Sequence, residues 1–115
     1  MESKTKKWLE DIIIAIDEID IFFETQPKRY DDFVENLLLR RGIERNIEII
    51  GEAMGRILKE NPDIKITNSR KIVDTRNYVI HAYDSLTTDL LWSIVVNHLP
   101  TLKTEIENIL KTINM

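Results

Sequence analysis

The chain has 115 residues, enough for one domain with its own core; 43% of them are hydrophobic and 31% charged, with three Gly and three Pro, a globular profile that argues against disorder. It has no cysteine, which excludes a disulfide framework, a thiol nucleophile and thiolate metal sites and fits a reducing compartment. A net charge of −4 weighs against nucleic-acid binding through bulk charge alone.

The distribution of charge says more than its sum. Residues 1–36 carry five Lys/Arg against ten Asp/Glu, residues 37–83 nine against six, and residues 84–115 two against four. The positive charge is therefore central, at Arg40, Arg41, Arg45, Arg56, Arg70, Lys71 and Arg76. Solvated helix faces account for this as readily as an anionic partner does.

In chain order, Trp8, Ile12, Ile16, Ile19 and Phe23 recur at three- and four-residue steps and predict a first helix from about Lys4 to Thr25. Asp11, Asp17, Glu18 and Asp20 interrupt this segment, so it has neither a signal peptide's apolar core nor the length of a membrane span. A single domain over residues 1–115, in the cytoplasm and without a membrane partner, is the expectation. Pro27 marks a turn, and Asp31 or Asp32 can cap a second helix carrying Phe33, Leu37, Ile43, Ile47, Ile50, Met54, Ile57 and Leu58 as far as Asn61–Pro62. Asn68 or Ser69 can cap a third helix that runs through Ile72, Val73 and Val79 to about Tyr83. Thr88 or Asp89 can cap a fourth, with Leu91, Trp92, Val95, Val96 and Leu99, which Pro100 ends or kinks. A fifth follows over residues 101–113, with Leu102, Ile106, Ile109, Leu110 and Ile113 facing inward. The fold class is all-α, a four- to five-helix antiparallel bundle. Gly51 and Gly55 share a face of the second helix and allow a close helix approach, within the monomer or in a dimer.

The sequence contains no phosphate-cradling Gly loop, no His/Cys zinc pattern and no nucleophile elbow, so neither a metal nor a cofactor is expected. Glu48 with Glu52 and Arg41 with Arg45 read as an ion-paired helix surface. Of the two histidines, His98 lies near a helix C-terminus, where a cation meets the helix dipole well. His81 has different company, in "RNYVIHAY". Arg76 offers a permanent charge and a fork of donors suited to phosphate, and His81 can exchange a proton near neutral pH. Asn77 precedes His81 by one turn, and Tyr83 adds a hydroxyl. These groups suffice for metal-free RNA cleavage. At about 100° per residue, however, Arg76 and His81 point about 140° apart on a straight helix. A compact pair therefore needs long side chains, a distorted helix end or a second copy of the chain; without one of these, the stretch is a helix surface with a hydrogen-bonded histidine.

"RNYVIHAY" fits the Arg-x4-His-x-Tyr motif of the HepT-like toxins, a branch of the HEPN superfamily, and the resemblance extends to two flanking blocks. "RGIERNIEIIGEAMGRIL" resembles that family's second-helix block, and "LLWSIVVNHLPTLKTEIENIL" is similar to its C-terminal block, with Trp92 and Pro100 in corresponding places. The resemblance covers most of residues 4–113 and departs from the family in lacking a Pro-Trp pair before the motif helix. It implies a HEPN-like homodimer whose two motifs meet at a cleft, which would remove the angular objection. It also implies a metal-independent endoribonuclease toxin of a type VII-like toxin–antitoxin pair. Arg76 and His81 would then be catalytic, Asn77 supporting, and Arg41 and Arg45 candidates to contact the RNA substrate. Tyr83 would accept AMP from a cognate minimal nucleotidyltransferase antitoxin, adding bulk and negative charge beside the cleft. The alternative reading is a non-catalytic helical dimer that binds and restrains the nucleotidyltransferase.

Overall fold

The computed structural model describes the backbone of residues 3–81 and 84–114 and, within these, the side chains outside 76–87. Helix α1 spans Ser3–Phe22 and buries Leu9, Ile12, Ala15, Ile16 and Ile19, the three- and four-residue repeat of one helical face. Trp8 and Phe23 lie at the edge of that stripe, partly buried.

The predicted second helix is two helices, which corrects the expectation. Helix α2 spans Tyr30–Glu35 and helix α3 Leu37–Glu60, separated by Asn36 in extended conformation. The Asn36 side-chain oxygen accepts from the Leu39 N–H at 3.0 Å, so the break carries its own N-cap. Asp31 and Asp32 do not cap α2; they occupy its first turn, behind Arg29, where their charge complements the helix dipole.

Helix α3 packs on α1 along one flank and on α4 (Ser69–His81) along the other. Two glycines of α3 face neighbouring side chains at different distances. A Cβ on Gly42 would sit 3.0 Å from the Phe22 ring, whereas one on Gly55 would meet Val73 of α4 at 3.9 Å. Gly55 thus faces α4 of its own chain, at a distance that would admit a Cβ. The buried Asn46 amide donates to the Ala15 carbonyl at 3.1 Å and to Glu18 at 3.3 Å, fixing α3 against α1 by polar as well as apolar contact.

Helix α5 spans Asp84–Ser93 and α6 Leu99–Ile113, joined without a break by a π-helical turn over Ile94–His98. Thr88 and Asp89 therefore lie inside a helix rather than capping one. Asp89 instead accepts a hydrogen bond from the Tyr30 hydroxyl, tying α5 to α2 and raising the phenol above its ordinary pKa, chiefly through that bond. Pro100, in the first turn of α6, has no N–H for the Val96 carbonyl and would crowd it. The wide turn absorbs this, with the Leu99 N–H reaching back to the Ile94 carbonyl. Pro100 accordingly does not end the helical path, which passes it through the π turn.

Ile12, Ile43, Met54, Ile57, Leu91 and Ile106 are fully buried and knit α1, α3, α5 and α6 into one core. Trp92 closes its far end, 5.2 Å from the Phe33 ring and edge-on to Phe23 and Tyr30. No strand occurs among the described residues, and none of their helices is long and apolar enough to cross a membrane. The architecture is the all-α bundle expected.

Candidate functional site

The candidate site is α4, and its start is held from two sides. The Asn61 side chain donates to Thr5 at 2.7 Å, tying the end of α3 to the first turn of α1. Across residues 61–68, buried Ile66 plugs the connection into the core. The Thr67 N–H and hydroxyl both donate to the Glu105 carboxylate of α6, the hydroxyl at 2.9 Å. Asn68 turns the chain with a φ of 58°, a left-handed conformation that asparagine tolerates better than most residues. Its carbonyl then accepts the Ile72 N–H at 3.0 Å, the first bond of α4. These contacts hold the segment that precedes the motif helix, where the Pro-Trp pair is missing.

The backbone of α4 is α-helical from Ser69 through His81. Residues 76–81 thus lie on helical backbone, successive positions turning by about 100°. The side chains of Arg76, Asn77 and His81 lie outside the described residues, as does Tyr83 altogether.

What α4 runs alongside is described. Val73 packs at Gly55, and α4 turns back along α3 from there. At about 1.5 Å per residue, His81 lies about 12 Å beyond Val73, and Arg45 about 15 Å before Gly55, so the two stand near one level of the helix pair. Arg45 is exposed and has no ion pair among the described residues. Arg41, one turn further on, contacts both oxygens of Glu44 at 2.9 and 2.8 Å. Arg56 is paired with Glu52 at 2.9 Å. Part of the central positive charge is therefore spent within α3, where Arg41 and Glu52 of the expected stripe are paired but Arg45 and Glu48 have no ion pair among the described residues, while Arg45, Arg70 and Lys71 present their charge to solvent.

Glu105 gave no sign of its part in the sequence, where it reads as one more polar residue on the outer face of the last helix. Asn36 could have been found: an Asn before an apolar-periodic run is an N-cap signal, obscured by the continuous periodicity on both sides.

The family model described as "Ribonuclease HepT-like" matches residues 12–109. A "Putative RNase" of Methanocaldococcus jannaschii is 34% identical over 104 residues, covering 89% of this chain and 93% of its own length. The "Probable ribonuclease HepT" of Thermococcus cleftensis is 32% identical over 115 residues, covering 96% of this chain and all of its own. No solved structure gives a significant match. The chain belongs to the HepT-like ribonuclease family, and its all-α bundle is HEPN-like.

Proposed function

We propose that the protein is a metal-independent endoribonuclease and the toxin of a toxin–antitoxin pair, working as a homodimer. The observation that carries this is the Arg-x4-His-x-Tyr motif, whose Arg76 and His81 lie on the unbroken helix α4, in a chain of the HepT-like family. On such a helix Arg76 and His81 diverge, and a second motif across a two-fold axis supplies the missing convergence.

His81 of one subunit takes the proton from a ribose 2′-OH, and the 2′ oxygen attacks the adjacent phosphorus. Arg76 stabilises the charged pentacoordinate phosphorus with its paired donors. The bond to the 5′ oxygen breaks, that oxygen takes up a proton, and the products are a 2′,3′-cyclic phosphate and a 5′-hydroxyl. Asn77 orients the imidazole, and Arg41 and Arg45 attract the strand. AMP attached to Tyr83 by a partner nucleotidyltransferase blocks the cleft by bulk and by repulsion of phosphate.

Purified wild-type protein is expected to degrade total RNA in the presence of a chelator. Arg76→Ala and His81→Ala each lose about 10²–10⁴-fold of that activity while keeping the wild-type thermal transition and dimer mass. Undiminished cleavage by both variants would sink the assignment. With the partner enzyme and ATP, intact mass should rise by one AMP per chain on wild type and not on Tyr83→Phe.

A further inference from the structure

A groove of about 140 Å³ lies between α4, α3 and the π-helical turn, on residues to which the proposed mechanism gives no part. Its floor is apolar and buried: Ile47 and Ile50 from α3, Ile94 from the π turn, and Leu99 and Leu102 from α6. Its rim is polar and accessible: Asn68 from the turn before α4, Lys71 and Thr75 from α4, and half-buried His98 from the π turn. The Thr75 hydroxyl is spent on the Lys71 carbonyl at 2.8 Å. The Asn68 amide, the Lys71 ammonium and the His98 imidazole have no hydrogen-bond or ion-pair partner among the described residues. Three such groups around one apolar hollow can exchange their water for the acceptors of a ligand.

Size and chemistry select the ligand. A dry apolar cavity of roughly 150 Å³ takes one benzene-sized ring, and this groove is no larger. A bare hydrocarbon ring would leave the rim donors idle, whereas a pyrimidine presents ring carbonyl oxygens at its edge and carries a phosphate through its ribose. We propose that the groove is a subsite for a single pyrimidine base of an RNA strand, with Asn68 and His98 at the base edge and Lys71 on the adjoining phosphate. Thr75 of the rim is the chain neighbour of Arg76, and His81 stands about 9 Å further along the helix axis. A strand following α4 from the groove therefore delivers a neighbouring phosphate to the motif. The π turn that accommodates Pro100 also places His98 on this rim, a second use for the same backbone irregularity.

The subsite rests on the ribonuclease reading for its biological meaning but is tested apart from it. His81→Ala protein, labelled for amide NMR, is titrated with uridine 5′-monophosphate, uridine and adenosine 5′-monophosphate. Uridine monophosphate should shift amides of residues 68–75 and 94–99 and bind about tenfold more tightly than the adenosine nucleotide, whose second ring exceeds the groove. Lys71→Gln, an exposed change, should lower uridine monophosphate binding to the level of uridine. Cleavage mapping with wild type should place a pyrimidine at a fixed position beside the broken bond. Equal binding of the two nucleotides, or shifts absent from these segments at millimolar ligand, would overturn the subsite even if RNA is cleaved. Binding as expected by a protein that cleaves no RNA would overturn the ribonuclease reading and leave the pocket standing.

Discussion

Helices α1 and α4 flank the same central helix α3 and are held there in different ways. Helix α1 buries six side chains, five of them aliphatic, and reinforces them through Asn46. Helix α4 has no fully buried side chain among residues 69–75; Ile72 and Val73 are half-buried, and its start is fixed by Glu105, Ile66 and the Gly55 approach. Helix α4, whose backbone carries Arg76, Asn77 and His81, is thus located by its neighbours and not by a buried stripe of its own over residues 69–75. Its placement is correspondingly exposed to damage at residues far away in sequence.

The contrast is broken most severely in the core. Ile43→Ala should cost about 2–5 kcal/mol in denaturant unfolding, since the fully buried side chain leaves a cavity between the helices. Asp74→Ala, on the exposed face of α4, should stay within about 0.5 kcal/mol. A similar loss at both would show that α4 shares the core's stability after all.

Glu105→Gln sharpens the comparison from the other side. It weakens the bonds to Thr67 for about 1 kcal/mol of stability, yet RNA cleavage should fall severalfold through misplacement of α4. Activity that merely tracks the folded fraction would mean that the Glu105 contact does not position the helix.

The smallest effects, of opposite sign, lie at two glycines of one helix. Gly55→Ala should stabilise by about 0.5–1 kcal/mol, because alanine suits a helix better and its Cβ would make ordinary contact with Val73. Gly42→Ala should destabilise by about 1 kcal/mol, because the Phe22 ring stands too close. Thermal melts of the two variants test the pair; a gain at both would show that Phe22 yields freely.

Helix type and apolar faces were legible in the residues, because a 3.6-residue repeat in Leu9–Ile19 or Ile43–Ile57 reports the buried side directly. The boundaries were less so. The break at Asn36 falls within an unbroken apolar rhythm, and α5 begins at Asp84, upstream of the Thr and Asp that looked like its cap. At Asn36 a local N-cap interrupts the helix without disturbing the apolar repeat that the prediction followed. Of the candidate site, the motif's residue types and its helical backbone were readable, while the polar anchor from α6 was not.

By itself the sequence determined an all-α chain, the apolar stripes that build its core, and a helix that carries Arg76, Asn77 and His81. Only the tertiary structure decided that Gly55 faces α4 of its own chain, that Glu105 holds the start of that helix, and that a π-helical turn before Pro100 lines a ring-sized groove. The reason is physical. Periodicity along a chain records which side of a helix avoids water, whereas the partner met across a helix pair depends on residues dozens of positions away, whose pairing no local pattern encodes.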